Sequence, residues 1–551
     1  MSFSPLVRAR PRLKAVVVAF HHSKLRQAFR GAASFACALS LISCGSSAPK
    51  ITGTVAGPVT RPTLNSIYRA TGHAAAGDVA VHLFDWTWNS ISTECETVLG
   101  PKGFKAVQVS PPNEHSITPS HDWSERYQPV SYSIEKSRSG SGAEFRSMVQ
   151  RCKAVGVDII VDAVINHMTN SPSPGTGSNG TAYTKYSYPG LYAPTDFHPG
   201  CTVTNYADAA NVQDCELLGL PDLDTSLPGV RQKIAGYLIA LAHADVAGYR
   251  IDAAKHIQQV DLDSIFAIVN NTLKSEGRAL PYVYLEISAG FGEALAPRDF
   301  FGEGYDTGGA ADITEFTFTG VGDKFTKLNG QAISDLNPNG PAGHQFSPSA
   351  WGLMPSDKAL VFLQNHDTQH SCGLSYRDGQ TFRLANVWML AQPYGYPLVL
   401  SSFAFTCPSG NSQGPPSDAN GWTLPTTCAS SLETATIGQF VCEHRDPYIA
   451  NMVAFRKVVA GTDVNHWWDD GANAIAFSRG DKGFVAINRN GAAVTQTVAT
   501  GVPAGVYCDL LTGGKTATGC AGTRITIETD GSIKLSLAAN SAIAIDANAR
   551  P

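Results

Sequence analysis

Residues 248–256, GYRIDAAKH, bring an arginine, an aspartate, a lysine and a histidine together at the end of a short apolar run. Residues 246–251 are predicted to form a buried strand, which places Asp252 where that strand gives way to a loop. A carboxylate two residues after Arg250 is held ionised by the neighbouring positive charge. An ionised, oriented carboxylate is what the nucleophile of a glycosyl transfer must be. The alternative is a buried Arg–Asp pair with a structural role, and this segment alone does not decide between the two.

Three further segments carry polar side chains at predicted strand ends. They are DAVINH at 162–167, Glu286 at the end of the predicted strand 282–286, and NHD at 365–367. In a barrel of alternating strands and helices, chemistry lies at the carboxyl ends of the strands. Carboxylates flanked by histidines at that end predict a pocket for a polar, uncharged ligand, with an electron-poor transition state that the carboxylates stabilise.

The apolar pattern predicts the elements that must position these residues. Continuous apolar runs, such as VDIIVDAV at 157–164, are typical of parallel strands buried on both faces. Such runs alternate with helical patterns close to eight times, which predicts an α/β fold, a (β/α)8 TIM barrel. The predicted strands are 78–84, 106–110, 157–164, 247–252, 282–286, 313–318, 359–364 and 397–401.

Two departures from this alternation predict further parts of the chain. A long stretch rich in Gly, Ser, Pro and Asn after the third strand predicts an inserted subdomain. Short alternating strands with glycine turns near the C-terminus predict an antiparallel β-sandwich domain. The predicted divisions are a signal peptide or lipobox at 1–45, a linker at 46–77, the barrel at 78–460 with its insertion at 167–224, and the β domain at 461–551.

The composition indicates a folded, exported protein. Hydrophobic residues make up 43% of the 551 and charged residues 16%, and a net charge of −5 without a basic patch argues against a nucleic-acid partner. Lys24, Arg26 and Arg30 precede an apolar run at 32–42 that is too short to span a bilayer. The run ends in LISCG, which resembles a bacterial lipobox that would be lipidated at Cys44, as in an outer-membrane lipoprotein. An ordinary signal peptide cut near 46–48, giving a secreted protein, is the alternative.

Cysteine content points the same way. Cys37 and Cys44 belong to the targeting segment, and the ten others are an even number, which suggests five disulfides in an exported chain. Two pairs, Cys201–Cys215 and Cys508–Cys520, are close enough in sequence to bond locally. The chain has no CxxC pair, so a zinc site is not indicated.

DAVINH, GYRIDAAKH, the glutamate of YLEIS and FLQNHD resemble the four signature segments of the α-amylase family, glycoside hydrolase family 13. SERYQPVSY, DCELLGLPDLD, MLAQPYG and VCEHR followed by NMVAFR resemble segments of the animal-type α-amylases and their bacterial relatives. The resemblance runs from about residue 78 to beyond residue 483. It implies an endo-acting α-amylase that hydrolyses internal α-1,4 bonds of starch or glycogen by a retaining double displacement. A transglycosylase on the same scaffold and an inactive starch-binding surface lipoprotein are the alternatives.

Roles follow by position from this resemblance. Asp252 is implied as the nucleophile, Glu286 as general acid and then base, and Asp367 as the group that holds the cleaved sugar, with the first two carboxyls about 5–5.5 Å apart. Arg250 would keep Asp252 ionised and oriented. The implied substrate-binding side chains are Tyr127, His167, Lys255, His256, His366 and Trp123, of which Trp123 is alternatively a packing lid.

The resemblance also implies a calcium ion that joins the barrel to the insertion. Its ligands would be the side chains of Asn166 and Asp222 and the backbone carbonyls of Gln213 and His256, all oxygen donors as calcium prefers. Asp222 is alternatively the N-cap of a helix over 223–227.

Animal-type relatives bind chloride through two arginines and an asparagine. Arg250 and Asn365 match two of these positions, and our alignment places the neutral Gln380 at the third, unless a slip restores Arg383. We therefore expect chloride not to be required.

By position, the resemblance pairs Cys95 with Cys152 and Cys428 with Cys442. Cys372 would tie the loop 370–379 down, most simply through Cys407 and alternatively through Cys428. A tethered loop would be less mobile over the substrate. The resemblance further implies a monomer.

Overall fold

Eight parallel strands close into a barrel in the computed structural model, which describes residues 70–300, 311–410 and 412–551. Each strand pairs with its neighbours in chain order, and the eighth returns to pair with the first. The predicted (β/α)8 fold is therefore confirmed. The barrel strands, numbered first to eighth below, are Ala80–Leu83, Ala106–Val109, Asp158–Ala163, Gly248–Ile251, Tyr282–Leu285, Asp312–Thr314, Ala359–Val361 and Tyr396–Ser401.

Hydrophobic residues on both faces of the strands explain this closure. Helices pack on the outer face, and the interior is filled by a cluster that includes Ala80, Ile160, Tyr284 and Leu360. Sequence signals mark where helices begin: Ser141 forms a capping box with Glu144. The longer helices of the barrel are Trp88–Glu94, Gly142–Ala154, Pro228–His243, Gln259–Ser275, Gly320–Thr326, Gln380–Ala391 and Pro447–Val458.

Two predicted boundaries need correction. The sixth strand ends at Thr314 rather than continuing to residue 318, because the Glu315 side chain accepts the Thr317 N–H and starts a 3-10 turn. Residues 71–77, expected to belong to a linker, instead close the amino-terminal end of the barrel. There the His73 ring stacks on Tyr396 at 4.5 Å.

The predicted insertion after the third strand is present and is anchored at both ends. An isolated bridge joins His167 to Asp222, so the insertion leaves and rejoins the barrel at one point. The buried Glu114 carboxylate accepts hydrogen bonds from the backbone N–H groups of Asn179 and Thr181 at 3.1 and 2.9 Å. These bonds fix the hairpin of the insertion. The insertion contains the strands Gly175–Thr176 and Ala182–Tyr183 and the helix Ala209–Gln213.

The C-terminal part is all-β with antiparallel strands, as predicted. One sheet contains Val464–Asp469, Ala474–Arg479, Gly483–Asn488 and Ser541–Asp546. Two further pairs join Val494–Ala499 to Ser532–Leu537 and Gly505–Cys508 to Arg524–Ile527. Strands at 464–469, 505–508 and 541–546 were not among those predicted.

The part of the chain that the structure describes contains five disulfides: Cys95–Cys152, Cys201–Cys215, Cys372–Cys407, Cys428–Cys442 and Cys508–Cys520. These are the pairs expected above. The segment with Cys44 lies outside the described residues, and within the described ones no helix combines the length and hydropathy needed to cross a bilayer.

A buried carboxylate ties the first barrel helix to the turn before the last one. Glu94 accepts hydrogen bonds from His444 Nε2 and Arg445 Nε, both at 2.7 Å. Burial by itself would raise the pKa of Glu94, but the bonds from Arg445 and His444 outweigh it and lower that pKa to about 2. Folding therefore stabilises the ionised form of Glu94, and this carboxylate joins the two ends of the barrel segment.

We predict that Glu94→Gln destabilises the protein by about 1–3 kcal/mol at neutral pH, because the buried His444 loses its acceptor. Glu94 has a lower pKa folded than unfolded, so its contribution is complete above the ordinary value near 4.5 and is lost as pH falls toward about 2. Urea unfolding measured at pH 7 and pH 3 checks both statements. Glu96→Gln, which removes an exposed carboxylate from the same helical region, is the control; equal midpoint shifts for both variants at pH 7 would contradict the prediction.

Candidate active site

The carboxyl ends of the third, fourth, fifth and seventh strands bring the predicted residues together. Arg250 lies on the fourth strand and Asp252 directly after it, Glu286 follows the fifth, and Asp367 lies in the short helix His366–His370 after the seventh. The side chains of Asp252, Glu286 and Asp367 are 10%, 16% and 29% exposed. All three carboxylates are therefore accessible to a ligand at this end of the barrel.

One guanidinium holds three carboxylates. Arg250 NH1 lies 2.8 Å from Asp252 Oδ1 and 2.5 Å from Asp162 Oδ1, and its NH2 lies 2.7 Å from Glu286 Oε1. The sequence predicted the first of these contacts but not the other two. Arg250 is 3% exposed, so these ion pairs are shielded from water.

The backbone after the fourth strand supplies a further donor to Glu286. The Ala253 N–H donates to Glu286 Oε2 at 2.9 Å. Ala253 has a φ of 48°, a left-handed conformation that is strained for a residue with a side chain and that often occurs at functional sites. Asp252 and Glu286 are thus fixed by adjacent atoms of one strand end.

Charge and burial act in opposite directions on Glu286. Burial raises its pKa, Arg250 lowers it, and the negative charges of Asp252 and Asp367 raise it again, with the result that the pKa of Glu286 is about 8. A carboxyl with such a pKa is protonated at neutral pH and is able to donate a proton. The sequence indicated that the two catalytic candidates need different environments, and burial of Glu286, together with the negative charges of Asp252 and Asp367, gives it an environment that favours the protonated form.

Asp162 is a functional residue for which the sequence reasoning assigned no role. Its carboxylate accepts hydrogen bonds from Tyr127 OH at 2.9 Å, from Gln108 Nε2 at 3.1 Å and from Arg250. Asp162 is fully buried, so it orients Arg250 and Tyr127 rather than contacting a ligand. The available signal was a charged residue inside the apolar run VDIIVDAV, because such a charge must be paired.

Neutral histidine and aromatic rings surround Asp367. His366 Nε2 lies 3.4 Å and Asn365 Nδ2 lies 3.3 Å from Asp367 Oδ2. Burial, with the nearby positive charge of Arg250, holds the pKa of His366 well below its usual value. The Tyr127 ring stacks on His366 at 4.9 Å with an angle of 8° between the planes, and the Arg250 guanidinium lies 5.9 Å from the centre of the same ring.

Trp123 belongs to an aromatic stack beside this site. Its ring stacks on His370 at 4.7 Å, and His370 stacks in turn on Phe405 at 4.3 Å. His370 and Phe405 lie two residues from Cys372 and Cys407, which the disulfide joins. The tethered loop therefore supports the ring of Trp123, which has the packing role that the sequence offered as its alternative.

Three other predicted binding residues are engaged within the protein. The His167 ring contacts Tyr127 O at 3.0 Å, and His256 Nδ1 contacts Val212 O at 2.8 Å. Lys255 Nζ donates to Ser288 O at 2.7 Å and to the Glu293 carboxylate. Lys255 thus anchors the loop that follows Glu286, a role that the sequence did not indicate.

Oxygen donors meet where the insertion rejoins the barrel. Asn166 Nδ2 lies 3.2 Å from Asp222 Oδ1, and both residues are buried. The contact between His256 and Val212 brings the backbone of Gln213 to the same region. Burial raises the pKa of Asp222 to about 7, against the opposing effect of His198, so a cation here would relieve a cost. No helix starts at Asp222; the next one begins at Pro228.

This donor set suits one class of metal. Among the described residues no three His, Cys, Asp or Glu side chains form a metal-binding cluster. A cation held by Asn166 and Asp222 would therefore depend on amide and carbonyl oxygens, which calcium accepts and zinc does not favour.

The structure corrects the residue expected to complete the halide site. A small cavity beside Arg250 and Asn365 is lined by Leu398 and Leu400, and Gln380 is not part of its lining. Gln380 instead begins the outer helix Gln380–Ala391, and Arg383 of that helix bonds Asp446 at 2.6 Å and the Glu433 carboxylate. The eighth strand, not the helix that carries Gln380, lines this cavity.

Family models match two parts of the chain. The model described as "Alpha amylase, catalytic domain" matches residues 103–281, and "Alpha amylase, C-terminal all-beta domain" matches residues 466–548. The α-amylase of Tribolium castaneum is 41% identical over 491 residues, which cover 87% of this chain and 95% of the beetle protein. Pancreatic alpha-amylase 2a5 of Mus musculus is 41% identical over 509 residues, which cover 87% and 96%.

Solved structures agree with these matches. The crystal structure of α-amylase I from Eisenia fetida superposes with a TM-score of 0.77 at 35% identity, covering 88% of this chain and 99% of that one. A variant of the Eisenia enzyme, solved with maltohexaose, superposes with a TM-score of 0.76 over 88% of this chain and 99% of that one, at 35% identity. The chain belongs to the α-amylase family of glycoside hydrolases.

Proposed function

We propose that this protein is an exported, endo-acting α-amylase that hydrolyses internal α-1,4 bonds of starch or glycogen with retention of configuration. The observation that carries the proposal is the pair of carboxylates, Asp252 and Glu286, bonded to the two terminal nitrogens of Arg250. Carboxylates held by one guanidinium lie close together. Retaining enzymes need a separation of about 5–5.5 Å, whereas inverting enzymes need about 6.5–9.5 Å to admit a water.

The reaction would proceed in two displacements. Asp252, oriented by its bond to Arg250, attacks the anomeric carbon, while the protonated Glu286 gives its proton to the leaving glycosidic oxygen. A glycosyl ester on Asp252 results. Glu286, now ionised, then takes a proton from water as that water attacks the anomeric carbon and releases Asp252. Glu286 thereby regains its proton and the enzyme returns to its starting state.

The remaining residues would bind and distort the cleaved sugar. Asp367, the most exposed of the three carboxylates, accepts hydrogen bonds from its hydroxyls, and neutral His366 adds a further polar contact. The Tyr127 ring contacts the apolar face of the pyranose. Trp123 stacks on a more distant glucose unit. Lys255, His256 and His167 already make hydrogen bonds within the protein. Their main role is therefore to position the loops of the site, and they contribute less to sugar binding.

A calcium ion is part of this proposal. Asn166 and Asp222 would bind it through their side chains, and Gln213 and His256 through their carbonyl oxygens. The ion supplies positive charge that fixes the insertion to the barrel and takes no part in bond cleavage. The buried carboxylate of Asp222, whose pKa burial raises to about 7 against the opposing effect of His198, supports its presence.

Chloride is not required in this proposal. The cavity beside Arg250 and Asn365 offers an apolar side chain, Leu398, on its eighth-strand side. The Arg250 charge already serves three carboxylates, so an added anion would meet net negative charge.

The five disulfides support export, because such bonds persist in oxidising compartments. We propose a monomer, with a lipid anchor at Cys44 as its only attachment to a membrane. The domain division is that given above, except that the barrel unit starts near residue 71 rather than 78. The last domain of this division is the C-terminal β domain, from about residue 461.

The product profile from maltoheptaose tests the activity. We expect the wild type to release only shorter sugars and Asp252→Asn to release none above background, because the carboxamide cannot form the glycosyl ester. Chromatography of time points, with circular dichroism of both chains, provides the measurement. Products longer than seven glucose units would instead show a transglycosylase. A folded, calcium-loaded wild type that releases no products would show that the protein binds starch without cleaving it.

The pH dependence tests the role of Glu286. We predict that kcat/KM falls as pH rises through about 8, because the ionised Glu286 has no proton to donate. Asp367→Asn removes a negative charge that raises this pKa, so the alkaline limb of its residual activity is expected at lower pH. An alkaline limb in the wild type near the ordinary glutamate value, about 4.5, would contradict the assignment.

Metal removal tests the calcium site. Chelation is expected to lower the melting temperature and the activity, and calcium is expected to restore both in the wild type. In Asp222→Asn the affinity for calcium falls at least tenfold, whereas Asp224→Asn, next but one in the chain, retains it. Restoring calcium as the acetate and as the chloride salt should give equal rates. A higher rate with chloride, or equal affinities of the two variants, would contradict these proposals.

A further inference from the structure

A second cavity opens on the outside of the barrel, away from the catalytic carboxylates. Its volume is about 490 Å³, within the range of ligand pockets, and three segments line it: 86–94, 138–144 and 422–426, together with Arg445. Asp252, Glu286 and Asp367 are not among its lining residues. The cavity is therefore distinct from the site described above.

The charges of this cavity cancel. Glu94 and Glu144 line it together with Arg138 and Arg445. Arg445 bonds Glu94 at 2.7 Å, and Arg138 Nε lies 2.6 Å from Glu125 Oε2 behind the wall. Because each guanidinium already has a carboxylate partner, a charged ligand gains nothing here. The amide, hydroxyl and paired ionic groups that line the cavity suit a neutral ligand rich in hydroxyl groups.

An aromatic ring gives the cavity an apolar surface of the size of a sugar. Trp422 is partly exposed in its lining, and Lys136 Nζ lies 4.8 Å from the centre of its ring and holds it in place. Polar side chains lie beside the ring in the lining: Asn89 is exposed and its amide donates to Glu144 Oε1 at 2.6 Å, and Thr93 is exposed as well. Stacking on one face and hydrogen bonds at the edges are what a pyranose requires.

Hydrogen bonds connect the lining of the cavity to the segment that leads into the proposed catalytic site. Arg126 donates to Ser139 Oγ at 2.6 Å and to Thr423 Oγ1 at 2.7 Å, and both acceptors line the cavity. The next residue is Tyr127, whose ring lies in the proposed catalytic site. The segment Trp123–Tyr127 thus separates the two sites, so a long chain held at one lies near the other.

We propose that this cavity is a second binding site for α-glucan, in which Trp422 stacks on a glucose unit of the polymer while another part of the same polymer occupies the catalytic site. The proposal rests on the proposed α-amylase activity for the identity of the polymer. Its effect is on long or insoluble substrates, because a short oligosaccharide does not reach both sites.

Trp422→Ala tests the proposal against Leu424→Ala as the control. Leu424 is an exposed apolar residue on the same loop and does not line the cavity. Adsorption to starch granules is measured with full chains that also carry Asp252→Asn, so that no hydrolysis occurs. We expect Trp422→Ala to weaken adsorption at least fivefold, Asn89→Ala to weaken it in the same direction, and Leu424→Ala to leave it unchanged.

Kinetics of the same substitutions without Asp252→Asn separate the possible outcomes. The kcat/KM of Trp422→Ala on maltoheptaose is expected to stay within twofold of wild type, which also shows that the variant folds. Adsorption equal to that of the parent chain, or an equal loss in Leu424→Ala, would overturn the second site. A matching loss on maltoheptaose would assign Trp422 to the catalytic site instead. An inactive wild type with Trp422-dependent adsorption would reject the proposed activity but keep the cavity as a glucan site.

Discussion

The contact of one buried guanidinium with three carboxylates is the interaction on which the catalytic end of the barrel depends. Arg250 carries one positive charge, and Asp162, Asp252 and Glu286 bring three carboxyl groups to it. The negative charge in excess is relieved most easily by protonation of one carboxyl. Burial raises the pKa of Glu286, Arg250 opposes it, and the negative charges of Asp252 and Asp367 raise it again, to about 8. The same cluster therefore bonds Asp252 to a guanidinium and keeps Glu286 protonated at neutral pH, as the proposed nucleophile and the proposed acid require.

Neutral rings complete this arrangement without adding charge. His366 is held neutral by burial and by Arg250, and it supports Tyr127 through a stacked contact of 4.9 Å. The Tyr127 hydroxyl in turn donates a hydrogen bond to Asp162. The ring of Trp123 is held in the same way by His370, next to the loop that the Cys372–Cys407 disulfide tethers. The rings of Tyr127 and Trp123 are therefore held in place by their neighbours, and a ligand that stacked on them would bind at little cost in conformational entropy.

The opposite end of the barrel and the C-terminal domain maintain the frame. Residues 71–77 cover the amino-terminal end, where Thr71 donates to Asp312 at 2.9 Å. Arg479 of the C-terminal sheet donates to Ala391 O at 2.5 Å and to Thr462 O at 2.7 Å. Buried arginines that bond backbone carbonyls are well suited to fix one unit to another, because removing either partner leaves a buried polar group unpaired.

The barrel, its insertion, the antiparallel C-terminal domain and the residues at the strand ends could be predicted from the sequence. These follow from apolar runs, turn residues and short motifs, which are local properties of the chain. The contacts between distant groups could not be predicted: Asp162 with Arg250 across 88 positions, Lys255 with Glu293, Leu398 in place of Gln380, and the two walls of the Trp422 cavity. The physical reason is that such contacts depend on strand register and barrel closure, which no local pattern contains.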